Sequence, residues 1–255
     1  MSVTTNRNGR LGNQIVRNIA VSFIAEKHNL FVEYASYELI QKLGIPLFVG
    51  DNKYNNTIKL TDDNYFDILN KKQIKSNVNP NRNYFQTKRI SDIIHNYLNQ
   101  DDLVNKITNN NPYKNRYNNN NNNNNDCFIH IRLGKVAKWN PGFEYYDSIL
   151  SKLVVDTIYI ATDSNKHEII KRLQQKYKNI KLMGNDLVDI IQFGTTTKHV
   201  ILSYGTFSAL IGYIAYYSNV YYKKPEEKYA WDWNSKNECN MFLDHSTKLG
   251  KWNQL

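Results

Sequence analysis

The chain has 255 residues, 41% of them hydrophobic, with 19 Tyr and a formal charge of +10. That is enough for one large domain or two small ones, and it excludes a wholly disordered chain. The charge favours acidic partners (nucleotides, nucleic acid or an anionic glycan) without choosing among them. No basic-then-apolar leader opens the chain and no apolar run approaches about 18 residues, so a cytoplasmic protein without a membrane anchor is expected. The two cysteines, Cys127 and Cys239, lack metal-ligand spacing, and Cys127 lies in an apolar run, as in a reduced protein.

Taken in order, Ser2 to Thr5 reads as a short strand, followed by the glycine loop NRNGRLGNQ, Asn6 to Gln14. From Asn13 the apolar positions Ile15, Ile19, Phe23 and Ile24 recur at helical spacing. A glycine loop opening a helix presents backbone N–H groups to an anion. Leu30 to Tyr34 predicts a strand, Ser36 to Leu43 a helix ended by Gly44 and Pro46, and Thr57 to Leu60 a strand. Asp62 or Asp63 is expected to cap a short helix through Leu69. Lys71 to Arg82 reads as loop, Tyr84 to Gln86 as an aromatic island, and Ser91 to Ile107 as helical. Alternating strands and helices predict an α/β fold with a parallel, helix-covered sheet.

Asn109 to Asn125, with eight consecutive asparagines at Asn118 to Asn125, has no apolar face to offset its ordering entropy. It divides the chain into residues 1–108, a flexible linker 109–125, and residues 126–255. The second half opens on DCFIHIRL, Asp126 to Leu133, a buried strand running into Gly134. A helix follows from Phe143 to Leu153, then a strand Thr157 to Ala161, with Ser164 capping a helix from Lys166 to Tyr177. Next come a strand Ile180 to Met183, a helix Leu187 to Phe193, a strand His199 to Leu202, a helix Ala209 to Tyr217 and a strand Asn219 to Tyr222. This is a doubly wound pattern, and His130, Arg132, Asp163 and Ser203 to Ser208 fall at strand C-terminal ends, where open parallel sheets bind ligands.

The residue types suit a nucleotide diphosphate. Arg132 offers a forked cation. Asp163 could accept both guanine donors, and Gly205, Thr206 and Ser208 form a small-residue cradle at a helix start. Phe207 could stack on a base. Taken singly, His130 fits a structural histidine, Asp163 a helix cap and Phe207 a core residue. No P-loop or dinucleotide glycine signature is present, and no Asp-x-Asp or His/Cys cluster points to a metal.

Six motifs in order then resemble one family: GRLGNQ at Gly9 to Gln14, YFQ at Tyr84 to Gln86, HIRLG at His130 to Gly134, YYDSIL at Tyr145 to Leu150, ATDS at Ala161 to Ser164 and ILSYGTFS at Ile201 to Ser208. Together they resemble the α-1,2-fucosyltransferases, related more distantly to the protein O-fucosyltransferases and the α-1,6 enzymes. The resemblance implies a GT-B architecture of two Rossmann-like lobes, a GDP-fucose donor, a glycan acceptor, inversion at the sugar carbon, and neither a metal nor a permanently bound cofactor. Residues 1–108 become the acceptor-side lobe and 126–255 the nucleotide-sugar lobe. Arg132 matches the arginine on the donor diphosphate. His130 and Asp163 match guanine contacts, and Ser203, Gly205, Thr206, Phe207 and Ser208 match the cradle around base and phosphates. Gly9, Arg10, Gly12 and Asn13 match the first-lobe loop that serves leaving group and acceptor, so Arg132, Asn13 and Arg10 are the expected catalytic residues. Lys135 stands where the family usually has Asp, Gly205 where it has Ser, and Ala209-Leu210 where it has a Trp pair. Two other readings stay open: a transferase-like chain that has lost catalysis, and a basic nucleic-acid-binding module, disfavoured because the basic residues are scattered.

Overall fold

The computed structural model describes residues 3–5, 9–81, 83–117, 124–134, 137–223, 241 and 252–254. These form two compact units, one of the described residues up to Tyr97 with Met241, the other of the remaining described residues from Leu98 on. Both are α/β with parallel strands flanked by helices. Asn6 to Asn8, Arg82, the tract 118–123, Lys135 and Cys239 lie outside the described residues.

The first unit runs β1 (Val3–Thr4), α1 (Leu11–His28), β2 (Val32–Glu33), α2 (Tyr37–Lys42), β3 (Thr57–Lys59), α3 (Tyr65–Leu69), β4 (Asn77–Asn79) and nearly all of α4 (Lys88–Leu98). β1 pairs with β2 and β3 with β4, all in parallel, and β1 lies beside β4. α1 is buried on nearly every side, and its polar residues hold the surrounding loops. Asn18 Nδ2 donates to the Ala35 carbonyl at 2.7 Å, and Ser22 Oγ accepts the Phe48 N–H at 2.7 Å. Arg17 Nε donates to the Asn83 carbonyl at 2.9 Å, with the guanidinium over the Tyr84 ring. Buried polar groups are tolerated where such bonds replace water.

Two expectations for this unit are corrected. Asn64, not Asp62 or Asp63, precedes α3. Asn77–Asn79 is a strand within the stretch expected to be loop. Its one apolar residue, Val78, is fully buried, and pairing with β3 sets its conformation against the low strand preference of asparagine.

The second unit holds α5 (Asp101–Asn110), β5 (Cys127–Ile131), α6 (Phe143–Leu150), β6 (Ile158–Thr162), α7 (Glu168–Lys176), β7 (Ile180–Leu182), α8 (Leu187–Gly194), β8 (His199–Leu202), α9 (Thr206–Ile214), β9 (Asn219–Tyr222) and β10 (Trp252–Gln254). Its six parallel strands lie in the order β10-β9-β8-β5-β6-β7. Counted from β5 as the first, this is the doubly wound order 3-2-1-4-5-6, whose switch point falls between β5 and β8.

The two faces of β5 follow strand alternation. Cys127, Ile129 and Ile131, with Leu133 beyond the strand, pack into one cluster with Phe143, Tyr146 and Ile149 of α6 and Ile170 and Leu173 of α7. Phe128 points the other way. A Cβ on Gly194 of α8 would come within 2.9 Å of its ring, so that glycine lets the helix approach the sheet. His130 shares the Phe128 face and meets α9. Cys127 is fully buried and burial pushes its thiol up, which keeps it protonated and inert.

Several expectations change here. Asn109 to Tyr117 is structured rather than a linker. α5 extends to Asn110, Tyr117 is buried, and Asn111 Nδ2 donates to the Tyr117 phenol and the Gln192 carbonyl, each at 2.8 Å. Across the tract, Asn124 Nδ2 donates to the Arg116 and Thr196 carbonyls at 2.8 Å, so both flanks anchor in the same unit. α7 is capped by the His167 side chain, which accepts the Ile169 N–H, and not by Ser164. α9 begins at Thr206, three residues before the expected start, so Thr206, Phe207 and Ser208 are its first turn. β10 was not foreseen. It adds the sixth strand, and Gly212 leaves room for the Trp252 ring against α9. No helix among the described residues is long and apolar enough to cross a membrane.

Candidate functional site

The expected site residues of the second unit gather at the C-terminal edge of its sheet, around the switch point. Arg132, directly after β5, is half-buried and follows His130 onto the α9 face. Its Nη1 lies 2.7 Å from where a Cβ on Gly205 would stand. Gly205 has φ 113° and ψ 158°, a region that essentially only glycine occupies, and it is the N-cap residue of α9. The first turn of α9 carries no acidic residue, and Gly205 has no side chain to cap its N–H groups. A guanidinium thus lies against the positive end of a helix. Two positive elements converging on one spot attract an anion.

The backbone of Arg132 is held from both sides. Its N–H donates to Ser203 Oγ at 3.1 Å, and its carbonyl accepts from Asn140 Nδ2 at 3.1 Å. Asp163, at the tip of β6, accepts the next two N–H groups on a single oxygen, Oδ1: Leu133 at 2.7 Å and Gly134 at 2.9 Å. Asp163 is therefore neither the helix cap nor a free acceptor pair. It clamps the loop after β5 while remaining exposed. Arg132 and Asp163 stand at neighbouring strand tips on one edge, and neither is sealed in the core.

His130 is 9% exposed, with Nδ1 hydrogen-bonded to Ser208 Oγ at 2.5 Å and its ring tilted against Phe207 at 5.0 Å. These contacts tie β5 to α9. Ser208 is fully buried, so this Ser–His pair is no nucleophile for an external substrate. Ser203 sits 3.4 Å from Ser208 and receives the Arg132 N–H. Thr206 is buried in the first turn of α9, and Phe207 is half-exposed beside His130.

A scan against protein-family models finds no match to this chain, and a search of curated proteins finds none either. The site is therefore read from its own geometry.

In the first unit, Gly9 has φ 85°, and a Cβ there would meet Asn13 Cβ and Tyr84 Cε1 at 2.9 Å. Gln14 Nε2 donates to the Gly9 carbonyl at 2.7 Å, and Gln86 Nε2 donates to Asn13 Oδ1 at 3.1 Å. The Tyr84 to Gln86 motif therefore braces the start of α1. Gly12 and Asn13 belong to the first turn of α1 rather than to the loop, which leaves exposed Gly9 and Arg10 as the loop itself. α1, like α9, has no acidic first turn and no side-chain cap.

Glu144 and Asp147 lie on the outer face of α6, paired with Arg172 at 3.2 Å and Lys176 at 2.7 Å of α7. Glu144 is held below the usual range first by a backbone hydrogen bond at its own N–H and then by Arg172, and Asp147 by Lys176 and the Tyr177 phenol, so both serve as surface helix carboxylates. Asn140 and Tyr146 were not singled out from the sequence as site residues. The Asn-Pro pair at Asn140 and Pro141 marks a turn, but nothing local shows that the Asn140 side chain returns to Arg132. Among the described residues no group of three or more His, Cys, Asp or Glu is placed to hold a metal.

Proposed function

We propose that this chain is an inverting, metal-independent glycosyltransferase of GT-B type that moves fucose from GDP-fucose to a hydroxyl of a glycan acceptor, galactose O2 by the family resemblance. The observation that carries the nucleotide part is the Arg132 guanidinium lying against Gly205 at the uncapped start of α9, beside the switch point of a 3-2-1-4-5-6 sheet. A diphosphate is the ligand whose charge and forked oxygens fit a guanidinium beside helix N–H groups. Fucose and the acceptor rest on the six motifs alone.

In this reading the acceptor hydroxyl attacks the anomeric carbon from the face opposite the leaving group, the C–O bond to the diphosphate breaks, and GDP departs with the electron pair. Arg132 and the first N–H groups of α9 stabilise the charge that builds on the diphosphate. One such donor in a water-poor site contributes roughly 2.7–4 kcal/mol. Arg132→Ala should therefore lower turnover by at least about a hundredfold with the melting temperature unchanged.

The deciding experiment is a donor screen with GDP-fucose, GDP-mannose, UDP-galactose and UDP-glucose against glycan acceptors, reading nucleotide release. Release from GDP-fucose alone, lost in Arg132→Ala, supports the proposal. GDP binding without turnover marks a transferase-like binding protein. Binding of random duplex DNA without GDP binding supports the nucleic-acid module.

A further inference from the structure

We infer that Asn140 and Tyr146 are positioning residues, forming with Ser203 a hydrogen-bonded brace on the Arg132 backbone that aims its guanidinium at the start of α9. This rests on the proposed anion site at Arg132 and deepens it. The brace can be followed bond by bond. The Arg132 N–H donates to Ser203 Oγ at 3.1 Å. On the other side, Asn140 Nδ2 donates to the Arg132 carbonyl at 3.1 Å and to the Tyr146 phenol oxygen at 2.9 Å. Asn140 Oδ1 accepts the Gly142 N–H at 2.9 Å, which fixes the amide's orientation.

The N–H and the carbonyl of one residue are thus gripped by two side chains, Ser203 at the end of β8 and Asn140 in the turn before α6, and Tyr146 of α6 holds Asn140 in place. Tyr146 is fully buried, so the brace stands on the core of the unit and not on a surface loop. A long cation otherwise samples many rotamers. Fixing its backbone and resting its head on Gly205 removes that freedom before any ligand arrives, and such pre-organisation raises affinity without adding a contact. Neither Asn140 nor Tyr146 needs to touch the ligand.

Two substitutions open the brace without emptying the core. Tyr146→Phe deletes the linking hydroxyl. Asn140→Asp keeps the acceptor for Gly142 but loses the donor to Arg132 and Tyr146. Each is compared with wild type and Arg132→Ala by calorimetric titration with GDP and with inorganic pyrophosphate. The order of the Arg132 Nε–Hε bond is followed by ¹⁵N relaxation, its signal assigned by its loss in Arg132→Ala. The expected result is affinity for both probes reduced about tenfold, a more mobile Arg132 side chain, and folding retained. A purely structural role would lower the melting temperature and leave the order of Arg132 as in wild type, which overturns the inference. Unchanged affinity in both brace variants also overturns it. If Arg132→Ala itself binds both probes as well as wild type, the underlying anion site is wrong, and that outcome is distinct from failure of the brace. Should Tyr146→Phe not fold, Asn140→Asp carries the test.

Discussion

Gly205 shows how one residue can set the chemistry of a site. Its backbone conformation and the Arg132 Nη1 atom beside it each forbid a side chain. Gly205→Ala is expected to cost about 1–3 kcal/mol from backbone strain alone and to push the guanidinium off the helix start. Calorimetry should show a lower melting temperature together with weaker GDP binding, whereas Arg132→Ala weakens binding alone. Asp62 is a second residue with a readable consequence. Burial, with neighbouring Asp63 adding to it, pushes its carboxyl up to about 6, and Oδ1 is enclosed without a hydrogen-bond partner. The folded state therefore holds the proton more tightly than the unfolded chain, and the charged form is a liability at neutral pH. Asp62→Asn should raise stability by roughly 1 kcal/mol at pH 7.5. The gain should shrink as pH falls below 6 and vanish only below about 3, where the wild-type group is protonated in both states. A gain independent of pH would mean that burial of this charge is not its source.

At the scale of elements, strand tips and helix starts carry the candidate site, and the loops between them are clamped. Asp163 takes two N–H groups of the loop after β5 on one oxygen. Asp163→Ala should leave both without an acceptor, while Asp163→Asn keeps an acceptor oxygen. Hydrogen exchange at Leu133 and Gly134 should therefore rise sharply in the first variant and little in the second. The asparagine tract is the other element with a clear expectation. Asn124 bonds back to the Arg116 carbonyl, so its flanks meet at one place in the second unit. Chain-closure cost varies slowly with length, by about 0.6 kcal/mol per doubling, so removing four residues from 118–123 is expected to change stability little. The melting temperature should stay within about 2 °C of wild type, and a loss of more than about 10 °C would show that the tract supports the fold.

For the molecule as a whole, acidification acts on Asp62 of the first unit and His199 of the second with opposite sign. His199, buried on β8 and hydrogen-bonded to the Tyr221 phenol at 3.2 Å, is pushed down to about 4, first by burial and then by Lys198. The unfolded chain binds that proton from about pH 6.5 downward while the folded unit refuses it until about 4, so stability is lost across this window. His199→Phe should flatten the fall in melting temperature between pH 6.5 and 4, opposite in sense to the pH response of Asp62.

Much of this was legible in the residues themselves. DCFIHIRL, TIYIA and HVIL were readable as buried strands because continuous apolar runs of that length have nowhere else to go, and alternation along DCFIHIRL put His130 and Arg132 on one face. Glycine at 205 and an arginine at a strand end could both be placed at the sheet's edge, and the structure brings them together there. The sequence could not show where side chains return across the fold. Asn140 reaching back eight residues to Arg132 depends on how the turn between them folds. Asp163 giving an oxygen to its neighbour's loop, the strand at Asn77–Asn79 and the late strand at Trp252–Gln254 depend on partners tens of residues away or on pairing that local preference opposes. Local pattern is set by neighbours along the chain. Register, clamping and burial are set by contacts that exist only once the sheet has formed, and so only the tertiary structure decided them.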